Sequence, residues 1–450
     1  MSDKNRFHGP LRVSPVNPRY FTDERGRAIY LTGAHTWANL VDIGLAGDPP
    51  FDYAKYLDFM TERGHNFMRM WTWDHPEMAP WTADKLYFDP MPHARTGPGL
   101  ALDGKPKFDL SCFNEAYFDR LRQRVLLAGT RGIYVSVMLF EGYCVKNARP
   151  GRDPWLSHPY NIQNNVNGVD GDPNKDGRAD IYCLDVPEVV EYQKRYIRKV
   201  IDTVGDLDNI LYEILNEIPN DERGVRWQYH IIDYIHEVER GKPKQHPVGM
   251  TAEGGTQDNP ILFASPAEWI SPGAGPQQEY RNDPPAADGS KVILADTDHF
   301  WGHGGHYRWV WKSFLRGLNP LFMDPYAPIP GSGYANATYN APDYPDWEPL
   351  RWNLGHTRRY AERMDLLHMT PHGELCSSRY CLANPGKEYL IYIPDDAQTS
   401  VYLAGERDYA VEWFSPLTGK TASAAPMRGG RRYRLVSPLG MDVVLYLKAE

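Results

Sequence analysis

Asn209-Ile210-Leu211-Tyr212-Glu213-Ile214-Leu215-Asn216-Glu217 is an apolar, strand-like run that ends abruptly on an Asn-Glu pair. A buried strand presenting a carboxylate at its C-terminal end is how barrel enzymes hold a proton donor over a substrate. On this reading Glu217 is the centre of an active site. The competing reading makes it a surface residue opening the loop Ile218-Pro219-Asn220.

Outward from this run, helical and strand-like segments alternate. Arg19 to Leu31 reads as two short strands around a turn at Gly26 and leads into Gly33-Ala34-His35-Thr36-Trp37. A helix over 51–63 precedes the short strand Asn66 to Trp71, and a helix over 114–130 precedes the strand Ile133 to Phe140. Helices over 187–204 and 225–239 flank the Asn209 run, with Pro187 in a first turn where it removes no hydrogen bond. Further strands fall at Val248 to Thr251, Trp269 to Ser271, Val292 to Ala295 and Pro320 to Met323, with helices over 306–316 and 348–365. Eight strands alternating with helices predict a (β/α)₈ TIM barrel. A doubly wound sheet is the runner-up, but no Gly-rich phosphate loop follows the first strand.

From about Leu375 the pattern changes to short strands separated by turns such as Pro416-Leu417-Thr418-Gly419. Strands at 389–393, 400–403, 409–414, 432–435 and 443–447 predict a small all-β sandwich. The expected domains are a barrel with its N-terminal hairpin over 1–368 and the sandwich over 369–450.

At 450 residues with 42% hydrophobic and 13% aromatic content, the chain is globular and unusually rich in Trp (13) and Tyr (29). Such rings stack on the C–H faces of sugars, although core packing also uses them. A net charge of -9 with scattered Lys and Arg gives no basic surface for nucleic acid. No run of about 18 apolar residues suggests a membrane span. The segment Met1-Ser2-Asp3-Lys4-Asn5-Arg6 lacks the apolar stretch of a signal peptide, and five irregularly spaced cysteines suit a reducing compartment. The expectation is a soluble, cytoplasmic protein, or a periplasmic or secreted one if a leader has been removed. The oligomeric state is not legible.

Polar residues gather at the predicted strand ends: His35, Arg69 with Trp71, Trp73, Asp74 and His75, then Glu141, Asn216 with Glu217, Glu253, Asp296 with Asp298 and His299, and Asp324. Glycoside hydrolysis needs two carboxyl groups flanking the scissile bond. Glu217 supplies one. Ala295-Asp296-Thr297-Asp298-His299 is the best source of the other, since residues two apart in an extended segment point the same way; a salt-bridged or capping pair is the structural alternative.

At this point the chain resembles the large clan (clan A) of retaining glycoside hydrolases with a (β/α)₈ barrel, which carry Asn-Glu at the end of the fourth strand and a carboxylate at the end of the seventh. The resemblance spans about residues 15 to 366 and rests on the opening hairpin into Gly33, Arg69, Asn216-Glu217 and the seventh-strand acid. It implies Glu217 as acid/base, Asn216 as a contact to the sugar 2-hydroxyl and Arg69 as support for the nucleophile. The C-terminal sandwich and the His-Thr-Trp motif look like bacterial cellulase-like hydrolases with a collagen-binding-type β domain. One departure stands out: the clan usually has Glu at the seventh strand, and here the acids are Asp. Matching the strand start at Val292 points to Asp296, whereas the shorter side chain favours the more protruding Asp298, to which the balance goes. Carboxyl separations of about 5–5.5 Å imply retention and about 6.5–9.5 Å inversion, so the stereochemistry stays open.

Trp37, Trp71, Trp73 and Trp301 are expected to bind substrate together with His35, Arg69, Glu141, Asn216, Glu253 and His299; Trp81 and Tyr326 are further candidates for the cleft wall. A separate constellation, Asp172-Pro173-Asn174-Lys175-Asp176-Gly177-Arg178-Ala179-Asp180, has oxygen ligands at positions 1, 3 and 5, Gly at 6 and an acid at 9. That spacing predicts a structural calcium loop with Asp172, Asn174, Asp176, Arg178 and Asp180. Position 12 is Cys183, so it is no EF-hand and resembles dockerin- or integrin-type loops. No organic cofactor is expected. His299, His303 and His306 beside Asp296 and Asp298 also allow a transition-metal site, but the His-x-His of metal hydrolases is missing from the first strand.

The leading expectation is an O-glycoside hydrolase. The alternatives are a carbohydrate-binding barrel without catalysis and a metal-dependent hydrolase using the Asp/His group.

Overall fold

The computed structural model describes residues 7–177, 179–218, 221–253, 258–327, 331 and 340–450. Eight strands form one parallel sheet: β1 (Gly33–His35), β2 (Phe67–Met70), β3 (Tyr134–Glu141), β4 (Ile210–Asn216), β5 (Val248–Thr251), β6 (Trp269–Ser271), β7 (Val292–Asp296) and β8 (Asn319–Met323). The hydrogen-bonded order runs from β2 through β8 and on to β1. Closure comes at Thr32 and Asn66, where the Asn66 amide donates to the Thr32 carbonyl (3.0 Å) and the Thr32 amide donates to Asn66 Oδ1 (2.9 Å). Gly33 is needed here, because a Cβ on it would lie 2.2 Å from the Phe67 carbonyl oxygen. The fold is therefore the TIM barrel that the alternation predicts.

Helices α1 (Tyr53–Glu62), α2 (Glu115–Gly129), α3 (Pro187–Val204), α4 (Glu222–Arg240), α5 (Asn259–Ala264), α6 (Glu279–Asn282), α7 (Tyr307–Leu315) and α8 (Trp347–Ala361) follow the strands in turn. Each long one buries a single apolar stripe; α3, for example, covers the barrel with Val189, Tyr196, Ile197, Val200 and Val204. Starts are fixed by side-chain caps: Asp52 accepts from the Lys55 amide, Asp221 from Gly224 and His306 from Trp309. The N-terminal ribbon (Arg12–Val13, Phe21–Thr22, Ala28–Ile29) plugs the lower mouth, where Phe21, Ile29 and Leu31 pack on Phe67, Tyr134, Leu211 and Trp269 at the strand starts. Among the described residues no helix is long and apolar enough to cross a membrane.

Two β-excursions decorate the upper face. Asp42–Gly44, Thr82–Asp89 and Glu77–Ala79 form one three-stranded sheet, and His93–Leu100 pairs with Pro106–Phe113 in a long hairpin.

The C-terminal region is all antiparallel. Strands β9 (Thr370–Pro371), β10 (Tyr380–Asn384), β11 (Glu388–Ile393), β12 (Gln398–Leu403), β13 (Asp408–Phe414), β14 (Thr421–Arg428), β15 (Arg431–Val436) and β16 (Val443–Ala449) form a six-stranded sheet, β9-β10-β11-β16-β13-β14, faced by the pair β12-β15. Alternation divides the large sheet's two faces. Tyr389, Ile391 and Leu445 pack on Val401 and Leu403 inside the sandwich, whereas Leu390, Tyr392, Val444 and Tyr446 pack on Trp311, Phe314 and Tyr360 of α7 and α8. The barrel and sandwich thus share an apolar seam.

Candidate active site

The upper ends of β2, β4 and β7 meet around one guanidinium. Arg69, in the middle of β2, is fully buried; its Nε and Nη2 donate to the two carboxylate oxygens of Glu213 on β4 (2.9 and 2.6 Å), and Nη2 also donates to Asn216 Oδ1 (2.8 Å). Nη1 donates to Asp296 Oδ2 (3.0 Å) and to Asp298 Oδ2 (2.9 Å). Strand register makes this convergence possible: Arg69 pairs with Ser136 and Glu213 with Met138, so both flank β3 two residues apart along it. A buried cation is stable only when paired and fully hydrogen-bonded, and Arg69 meets both conditions. Burial alone would favour its neutral form, but Glu213 and Asp296 outweigh that and hold it charged.

The two aspartates play different parts. Asp296 ends β7 completely buried, with His35 Nε2 of β1 2.8 Å from its Oδ2. Burial works against its ionisation, yet His35 and Arg69 outweigh burial and hold the carboxyl well below the usual carboxylate range. Its Oδ1 accepts the Asp298 amide (3.0 Å), which folds Thr297–His299 into a single 3₁₀ turn and lifts Asp298 to the rim, where its side chain is 6% exposed.

Glu217 follows β4 directly and sits at φ +51°, a left-handed conformation costly for a residue with a long side chain. Burial pushes its carboxyl well above the ordinary glutamate value, and the Asp298 carboxylate pushes it further. Lys146, 3.8 Å from Oε2, opposes that shift and lies 3.1 Å from Glu253 beyond β5. The loop is held from beneath by Gly142, whose amide donates to the Asn216 carbonyl (2.8 Å); a Cβ there would lie 2.2 Å from Ile218 Cγ2.

Aromatic rings wall one side. Trp71 stacks on His35 (5.5 Å between centroids), and Trp37 packs against Trp71, Trp73 and Trp81. Trp73 is internal, its Nε1 donating to the Trp37 carbonyl (3.0 Å). Trp301 lies further out under the Arg281 guanidinium. Tyr326 and Trp37 line a cleft of about 720 Å³ with His303; another, of about 830 Å³, opens beside Lys146 and Ile218 towards Trp155, Tyr182 and Arg223. His299 is held by Ser271 Oγ (2.8 Å), with Nε2 3.9 Å from Asp298; burial lowers its pKa to about 4, so the ring is neutral.

Several expected residues are placed otherwise. Glu141 ends β3 and is buried, its oxygens accepting the amides of Tyr143 (2.8 Å) and Cys144 (3.2 Å). Asp324 is bound by Arg351. His303 pairs with Asn340 and His306 caps α7, so the histidines after β7 do not converge as a metal set. In the expected calcium loop, Asp172 accepts the amides of Asp176 (3.2 Å) and Gly177 (3.0 Å), Asn174 bridges Asp176 and Asp180, and Arg223 pairs with Asp180 (3.1 Å). Arg178 lies outside the described residues. The sequence reading missed Glu213 and Lys146. Glu213 carried a signal, since an acid within an apolar strand needs a buried cation; Lys146 carried none.

The fold recurs in solved glycoside hydrolases. A chain described as "Glycoside hydrolase" superposes with a TM-score of 0.62 at 13% identity, covering 98% of this chain and 97% of that one. A glycoside hydrolase family 5 structure from Bacteroides vulgatus gives 0.63 at 13% identity, covering 100% and 95%. The family described as "Domain of unknown function (DUF6298)" matches residues 76–270. No curated protein sequence matches the chain.

Proposed function

We propose that the chain is an O-glycoside hydrolase in which Glu217 is the general acid/base and Asp298 the nucleophile. The observation that carries this reading is the division of labour around Arg69: one carboxyl, Glu217, that burial pushes well above the ordinary glutamate value, beside a second, Asp298, that accepts a hydrogen bond from the guanidinium. Two carboxyl groups in opposite charge states are what glycosidic cleavage requires. Glu217 gives its proton to the leaving oxygen as the Asp298 carboxylate attacks the anomeric carbon; Glu217 then takes a proton from the water that releases the sugar. Asp296 holds Arg69 and, through the Asp298 amide, shapes the turn. His35 Nδ1, Trp71 Nε1 and His299 Nε2 are buried polar atoms without hydrogen-bond partners beside this pair, as a site built to hold sugar hydroxyls leaves them. The excursions over 77–113 that rise above the barrel favour a walled pocket, hence exo-cleavage of short oligosaccharides.

A panel of aryl pyranosides and furanosides of both anomers tests the reading. Glu217→Gln and Asp298→Asn are each expected to abolish the cleavage found in the wild type; activity retained in either rejects the pair.

The Asp172–Asp180 loop is proposed to take a structural calcium ion. Four of its side chains offer oxygens, and Gly177 at φ +80° provides the tight turn. Added calcium is expected to raise Tm in the wild type but not in Asp176→Ala.

A further inference from the structure

Near Glu217 lies a second polar cluster that the proposed chemistry leaves unused. His75 follows β2, Glu141 ends β3, and Cys144 lies in the short helix Tyr143–Lys146; all three are buried, and a ligand atom from each lies within 4.8 Å of the other two. Neither ring nitrogen of His75 makes a hydrogen bond of good geometry, although the Met78 backbone approaches the ring. Trp73 and Phe88 make edge-type contacts with the ring. A buried imidazole with no proper partner is costly unless something else occupies its lone pair.

We propose that His75, Glu141 and Cys144 bind one divalent transition-metal ion of the zinc class. Imidazole, carboxylate and thiol are the donors that select zinc over the harder calcium and magnesium ions. Binding releases the Cys144 thiol proton, and the proton of any neutral Glu141 carboxyl, to solvent, so that thiolate and carboxylate together match the two positive charges. Water completes a tetrahedral shell. The Glu141 oxygens keep lone pairs for the ion while accepting the Tyr143 and Cys144 amides, which orients the carboxylate. The ion fastens the ends of β2 and β3 to the short helix that carries Lys146, the cation facing Glu217. Its role is structural, and it stands whether or not Glu217 cleaves glycosides.

The test is native mass spectrometry of the full chain after zinc loading and dialysis, joined to the absorption spectrum of the cobalt-loaded protein. One zinc per chain and a thiolate-to-cobalt charge-transfer band are expected in the wild type. Both should be lost in Cys144→Ser and retained in Cys112→Ser, which alters an exposed cysteine. A folded wild type that retains no zinc, a cobalt complex without the band, or a band that survives in Cys144→Ser overturns the proposal. The wild-type measurements decide it even if a variant fails to fold, and a calcium ion in the oxygen-rich loop gives no thiolate signal.

Discussion

Glu217 combines two costs, a left-handed backbone and a carboxyl held in its neutral form by burial and by Asp298. Because its value is raised, the folded state binds this proton more tightly than the unfolded chain. The associated stability is complete below the ordinary glutamate value and is lost as pH rises through the raised one. Two outcomes follow. The alkaline limb of kcat/KM should lie well above the usual carboxylate range, measurable from initial rates across pH. Glu217→Gln should remove activity yet stabilise the protein by about 0.5–2 kcal/mol at neutral to alkaline pH, where the charge is costly; thermal unfolding of both proteins at acid and alkaline pH checks the sign. Glu217, Asn216, Arg69 and His35 were legible in the sequence because strand ends concentrate function in barrels. Glu141 was picked out for the same reason, since it occupies a strand end; what the sequence did not show is that its oxygens also accept the amides of the next turn.

At the level of elements, Arg69 joins β2 to β4 and β7 through three carboxylates. Arg69→Leu leaves those acids buried without a cation and is expected to cost about 3–5 kcal/mol, read as a lowered denaturation midpoint. Asp298→Asn, at the rim, should cost much less while removing activity. Strands β2 to β8 were readable to within two residues because each is a short apolar run between helical segments, whereas β1 (Gly33–His35) lies just beyond the hairpin in which the sequence reading placed the opening strands. The sheet Asp42–Gly44, Thr82–Asp89 and Glu77–Ala79 was not, since it is assembled by pairing across distant loops. Strand β14 was missed because it is largely exposed and shows no apolar alternation.

For the whole molecule, the seam between barrel and sandwich decides whether the parts stand alone. Strand β11 is buried at every position because its sheet is covered on both faces, by β12 and β15 on one and by α7 and α8 on the other. Trp311→Ala at this seam is expected to cost about 3–5 kcal/mol, measured by denaturant unfolding. A chain ending at residue 368 would expose Trp311, Phe314 and Tyr360 together, and it should aggregate, as light scattering during expression and purification would show. The sequence disclosed the sandwich but not this packing, since the positions that face α7 and α8 read simply as the second face of an alternating strand. The pairing of Glu217 with Asp298 is central to the proposed chemistry, and azide rescue tests it most directly. On an aryl glycoside with an activated leaving group that the wild type cleaves, azide should restore turnover to Glu217→Ala and give a glycosyl azide of retained configuration. With Asp298→Ala it should give the inverted product. No rescue of either variant, or the same configuration from both, would contradict the assignment.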